Sequence, residues 1–163
     1  MLPVRGKGEI ECTYLIAAPG RAGAEWFTEQ CKDLGLSFIN NQVDIGVRVE
    51  VPAQVFKHIT DEVYEAKLVY RTQRYNDLVR TFCMNPGGIV SEEHYNPGFH
   101  NTFNQSIAVV NGHSYADEAS HTENTNFAML VSTSFTEPFN QPIEYGRYIA
   151  QLGNMLTGGG IMV

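Results

Sequence analysis

The chain has 163 residues, of which 43% are hydrophobic and 18% charged, a balance that fits one folded domain with a real core and not a disordered segment. Its eleven Lys and Arg are scattered among eighteen Asp and Glu, for a net charge of -7. That argues against a nucleic-acid groove, where clustered cations must neutralise phosphates, and no basic run marks a membrane surface.

The opening residues, Met1-Leu2-Pro3-Val4-Arg5-Gly6, lack the apolar segment of a signal peptide. The longest apolar runs, Tyr14 to Pro19 and Phe127 to Val131, are far too short to span a bilayer. Three cysteines, Cys12, Cys31 and Cys83, are odd in number and widely spaced. A disulfide framework would be even and denser, so a reducing cytoplasm is expected. With no Cys-x-x-Cys pair, a structural zinc site is not expected.

In chain order, Ile10 to Ala18 reads as a strand ending in Ala-Ala-Pro-Gly, and Ala24 to Leu34 as a helix with Phe27, Cys31 and Leu34 on one face. Gly35 stands where a C-terminal cap belongs. Val43 to Val51 alternates apolar and mostly polar residues and is the cleanest strand. Pro52 opens a short helix with a stripe of Val55, Phe56, Ile59 and Val63. Ala66 to Tyr70 and Leu78 to Met84 are strands joined by Gln73 to Asp77, and Pro86-Gly87-Gly88 turns the chain toward Ile89-Val90. Ser91 to Asn104 is polar and rich in Asn, Pro, Gly and His, an expected exposed loop. Ser106 to Val110 and Phe127 to Phe135 are strands, with Asn111-Gly112 as a turn and a second loop between. The last helix spans Pro142 to Leu156, with Tyr145, Tyr148, Ile149, Leu152, Met155 and Leu156 on one side and Gly158 as its stop. Mostly consecutive, antiparallel strands with about three helices define an α+β class, as an open or barrel-like sheet. The closing "TGGGIMV" ends on the threshold of a strand, which points to a piece of something longer.

Three chemistries can be weighed on these residues. A nucleophilic Cys83 would need a depressed thiol pKa from a neighbouring His, Lys or helix N-terminus; Arg80, three residues away, faces the other side of a strand, and packing is the better reading. His113, Asp117 and His121 have helical metal-ligand spacing, but their segment has loop composition, so a solvated loop is preferred and no metal is expected. A Ser114, His113, Asp117 triad is weaker still, because sequence neighbours rarely converge. The "APGRAG" and "NPGG" loops could let backbone approach an extended ligand, although turns are the commoner use of such glycines. Neither a G-x-G-x-x-G nor a G-x-x-x-x-G-K-[ST] signature is present.

Five motifs occur in order: "YLIAAPGRAGAEW", "VDIGVRVEVP", "VRTFCMNPGGIV", "VNGHSYAD" and "NTNFAMLVSTSFTEPF". Together they resemble the central part of a group of bacterial and archaeal FAD-dependent dehydrogenases, over about Glu9 to Gly160. The resemblance implies a single-domain chain, residues 1–163, belonging to a larger two-dinucleotide-type flavoprotein. Residues 9–36 would correspond to a strand-loop-helix of the FAD-binding fold and 41–160 to the inserted, substrate-side domain. It implies FAD in the full-length parent and none in this chain alone, because the glycine fingerprint and the downstream Gly-Asp segment are both missing. It places Pro19, Gly20 and Arg21 near the dinucleotide, and Cys83, Pro86, Gly87 and Gly88 beside the flavin or substrate cavity. Asp44, Arg48, Asn111 and His113 are secondary candidates for polar contacts, and no residue is assigned as catalytic. The implied partners are the rest of the parent chain and a small-molecule substrate, not nucleic acid or membrane. The alternative is a non-catalytic ligand- or partner-binding α+β module whose glycine loops are only turns.

Overall fold

A computed structural model describes residues 2–4, 6, 8–95, 106–136, 138 and 140–163. They fall into two compact units, Met1–Ser37 and Phe38–Val163.

In the first unit, β1 (Leu2–Val4) and β2 (Gly8–Ile10) form an antiparallel pair with Leu2 opposite Ile10. Helix α1 (Ala24–Asp33) follows and buries none of its residues. Its end is capped as the glycine predicts: Gly35 has φ of 68° and its N–H donates to Lys32 O at 2.9 Å. The strand expected over Ile10 to Ala18 is corrected here, since residues 11–18 form none and Tyr14 and Ile16 lie exposed. β-favouring side chains make a strand only where a neighbour completes the ladder, and among the described residues none pairs with this segment.

The second unit begins with β3 (Val43–Pro52), α2 (Ala53–Thr60), β4 (Val69–Arg71) and β5 (Leu78–Pro86). It continues with β6 (Ile89–Tyr95), β7 (Ile107–His113), β8 (Asn124–Thr133) and α3 (Pro142–Leu156). A single 3₁₀ turn, Glu118–Ser120, breaks the loop before β8, with Asp117 accepting from Ala119 N–H as its cap. The class is α+β, with three α-helices and antiparallel pairing among the described residues.

Two expectations about the strands need correcting. They are not laid down consecutively: the four-stranded sheet has the order β3-β8-β5-β4, and β6-β7 is a separate pair. The late strand β8 inserts between β3 and β5, a long-range pairing that no local pattern encodes. The described sheets are open, without a closed barrel.

Two polar segments also change class. Residues 91–95 of the expected loop belong to β6, where Ser91, Glu93 and Tyr95 are half-buried and Glu92 and His94 exposed, the alternation of a strand. Residues 96–104 of that loop lie outside the described residues. Asn111-Gly112 is not a turn but lies inside β7, opposite Ser91 and Val90.

The core of this unit is Ala66, Met84 and Phe127, against which Val49, Val51, Phe56 and Ile59 pack. The end of the apolar face of β3 and half of the α2 stripe therefore meet here, while Val47, Val55 and Val63 stay exposed. Phe56 and Phe127 meet edge-on with centroids 5.0 Å apart. Among the described residues no helix is long and apolar enough to cross a membrane.

Candidate functional site

The polar face of β3 carries Arg48, and β8 places Ala128 opposite it with Asn126 opposite Glu50. Arg48 reaches along that face and donates to Asn126 Oδ1 from Nε at 2.9 Å and from Nη2 at 2.6 Å. Nη2 also donates to Cys83 O at 2.7 Å. Guanidinium nitrogens only donate, so these contacts fix which end of the Asn126 amide is oxygen. Asn85 adds Nδ2 contacts to Cys83 O at 3.0 Å and Asn126 Oδ1 at 3.3 Å, while Ser114 Oγ donates to Asn85 Oδ1 at 2.9 Å.

A kink in β5 makes this convergence possible. Its register with β8 shifts between Phe82 and Asn85, and Cys83 has φ of 49° in the left-handed region. A bulge of this kind re-aims the strand, here turning the Cys83 carbonyl to Arg48 and giving its N–H to Glu65 Oε1 at 3.2 Å. A non-glycine residue held there costs on the order of 1–2 kcal/mol and persists only where its surroundings over-determine it.

Glycine is required above this cluster for the same reason. A Cβ on Gly112 would collide with Arg48 Nη2 and Asn126 Oδ1, so a strand carrying any side chain there could not lie against Arg48. Gly88 is similarly hemmed in by His113 O and Asn126 Nδ2. Asn126 is fully buried, and its Nδ2 has no hydrogen-bond partner.

The sequence-selected residues divide into separate places. Pro19, Gly20 and Arg21 belong to the first unit, where Gly20 has φ of 67° and open space at its Cβ position. In the second unit Cys83 and Pro86 are half-buried, while Gly87 and Gly88 are buried under the chain itself. Thr122 donates to both glycine carbonyls, from N to Gly87 O at 2.8 Å and from Oγ1 to Gly88 O at 2.6 Å. A Cβ on Gly87 would strike the His121 ring. The close approach these two glycines permit is therefore taken up by the protein's own loop.

Of the secondary candidates, only Arg48 joins the cluster by its side chain. Asp44 binds Arg80 Nη2 at 2.6 Å and accepts from Ser132 Oγ at 2.6 Å. Asn111 Nδ2 donates to Glu93 Oε1 at 2.7 Å, and His113 Nε2 lies 3.7 Å from the same oxygen. His121 Nε2 is 3.1 Å from Tyr115 O. Among the described residues no group of three or more His, Cys, Asp and Glu is arranged to hold a metal. The cluster members that sequence reasoning missed are Asn85, Gly112, Ser114 and Asn126. One available signal was asparagine in the body of a strand, where its β-propensity is poor and a bonded role is the usual reason for it.

No known family profile matches the chain. It is 28% identical over 170 residues to a protein of Clostridium beijerinckii named only as uncharacterized, covering 96% of this chain and 30% of that protein. The chain thus spans under a third of the length of the relative it matches.

Proposed function

We propose that this chain is the substrate-side part of a larger, cytoplasmic FAD-dependent oxidoreductase, and that it does not hold FAD by itself. The observation that carries the reading is convergence. Four of the five motifs that resemble the flavin-dependent dehydrogenases each send a residue to one cluster: Arg48, Cys83 with Asn85 and Gly88, Gly112 with Ser114, and Asn126. Four motifs spread from residue 43 to residue 139 that meet around one charged group fit a shared site better than four independent turns. The relative's greater length supports a parent with room for a complete cofactor-binding fold.

The residues present fit only part of such a site. Gly20, with a left-handed backbone and open space at its Cβ position, suits close approach of a dinucleotide in the parent, together with Pro19 and Arg21. Cys83 and Pro86, half-buried, would border the flavin or substrate, with Gly87 and Gly88 behind them fixing the path of the chain. FAD would supply the hydride chemistry; the protein's part is position, electrostatics and exclusion of water. The visible absorption spectrum of the purified full-length parent tests this. A flavin band in the parent and a colourless isolated chain are expected. A colourless, cofactor-free parent would leave the alternative of a non-catalytic binding module.

A further inference from the structure

We propose that Arg48 is a seat for a carboxylate, and that the substrate of the parent oxidoreductase carries one; the second half rests on the functional reading above, the first does not. Three of the five guanidinium N–H bonds are committed, to Asn126 Oδ1 and Cys83 O. Both acceptors are neutral. Nη1 makes no hydrogen bond among the described residues and is not among the fully buried polar atoms left without one, so it keeps some access to solvent.

Among the described residues no carboxylate answers this charge, although the chain carries a net charge of -7 and eighteen acidic residues. Arg80 and Arg147 pair with Asp44 and Glu144 at 2.6 and 2.8 Å. All three are half-buried, but among the described residues Arg48 has no such partner and is held by backbone and amide oxygens instead. Removing a cation from water without a counter-charge is costly, and protein folds normally resolve this with an acid. Here Asn126 and Cys83 instead lock the group in one orientation. A guanidinium that has already lost its rotamer freedom binds an anion with less entropic loss.

The charge count selects the ligand class. Lys67 and Arg80 are engaged elsewhere, both lying over the Phe82 ring, at 5.7 and 5.1 Å. The N–H groups of one remaining nitrogen, Nη1, suit one oxygen of a monoanion, whereas a phosphate dianion is usually met by several donors or cations. A carboxylate seated at Nη1 would lie next to the residue whose carbonyl shares that guanidinium, Cys83, beside the half-buried Pro86. The arrangement would hold one end of a small acid while leaving its other end free to meet a cofactor.

The test uses the 163-residue chain with arginine side chains labelled with ¹⁵N, titrated with sodium acetate against sodium chloride at equal ionic strength. The Arg48 resonances, identified by their loss in Arg48→Lys, should shift saturably with a midpoint of about 10 mM or tighter, while Arg80 and Arg147 move little. Equal response to chloride, or a shift that stays linear with acetate, would overturn the proposal. In the flavin-loaded parent, Arg48→Lys should raise KM at least tenfold for the substrate with flavin content unchanged. A parent without flavin would sink the functional reading and leave the acetate result to stand or fall alone.

Discussion

Helices α2 and α3 look alike in sequence and behave differently in the fold. Both are amphipathic, and α2 docks through half of its stripe: Phe56 and Ile59 cover the core at Phe127 and Met84, while Val55 and, beyond the helix end, Val63 stay about half exposed. In α3 the aromatic and aliphatic stripe is left bare, with Tyr148 57% and Met155 74% exposed. The helix docks through its other side. A Cβ at Gly146 would lie 3.4 Å from Val43 Cγ2, and buried Asn154 clasps Ala108, accepting from its N–H at 3.0 Å and donating to its carbonyl at 2.9 Å. Helical periodicity reports that an apolar face exists, not which side of the helix this chain uses to dock.

Substitutions can break or sharpen that contrast. The largest effect is expected at the α2 contact, where Phe127→Ala should cost about 3–5 kcal/mol in denaturant unfolding, because it empties the centre of a small core. Asn154→Ala should cost about 2 kcal/mol, since the buried Ala108 amide and carbonyl would each lose a partner. If it costs nothing, α3 is held by something other than this clasp. Tyr148→Ser and Leu152→Ser should stay within about 0.5 kcal/mol of the parent sequence, as exposed positions do, while reducing self-association on a sizing column. A loss as large as that of Phe127→Ala would mean that the stripe is covered in solution.

Much of the architecture could be read from residues alone. The alternation of Val43 to Val51, proline before α2, and Gly158 after α3, with φ of 71°, mark their elements nearly to the residue. The misreadings share a physical cause. The segment 11–18 of the expected strand Ile10 to Ala18 has no neighbour to pair with among the described residues, whereas Ser91 to Tyr95 has mostly polar side chains and becomes a strand because β7 supplies the ladder. Pairing is non-local, and local propensity cannot see it. The site was legible in part. Arg48 and Cys83 stood out as a charge and a thiol, but Asn85, Gly112, Ser114 and Asn126 matter only through contacts between strands far apart in sequence. Gly112 shows this most clearly: beside asparagine it reads as a turn, yet its missing Cβ is what lets Arg48 lie flat under β7.

The same cluster separates the functional reading from a purely structural one. As a packing device, Arg48 would matter only for stability, and Cys83→Ala would leave the turnover of the parent unchanged. As the wall of a cofactor cavity, it should respond to the cofactor. Hydrogen–deuterium exchange of the full-length parent with and without FAD compares these directly. The account predicts that FAD slows exchange at residues 82–90 and 111–114, around Arg48, more than along α2. Protection confined to other parts of the parent, with these two segments unmoved, would contradict it.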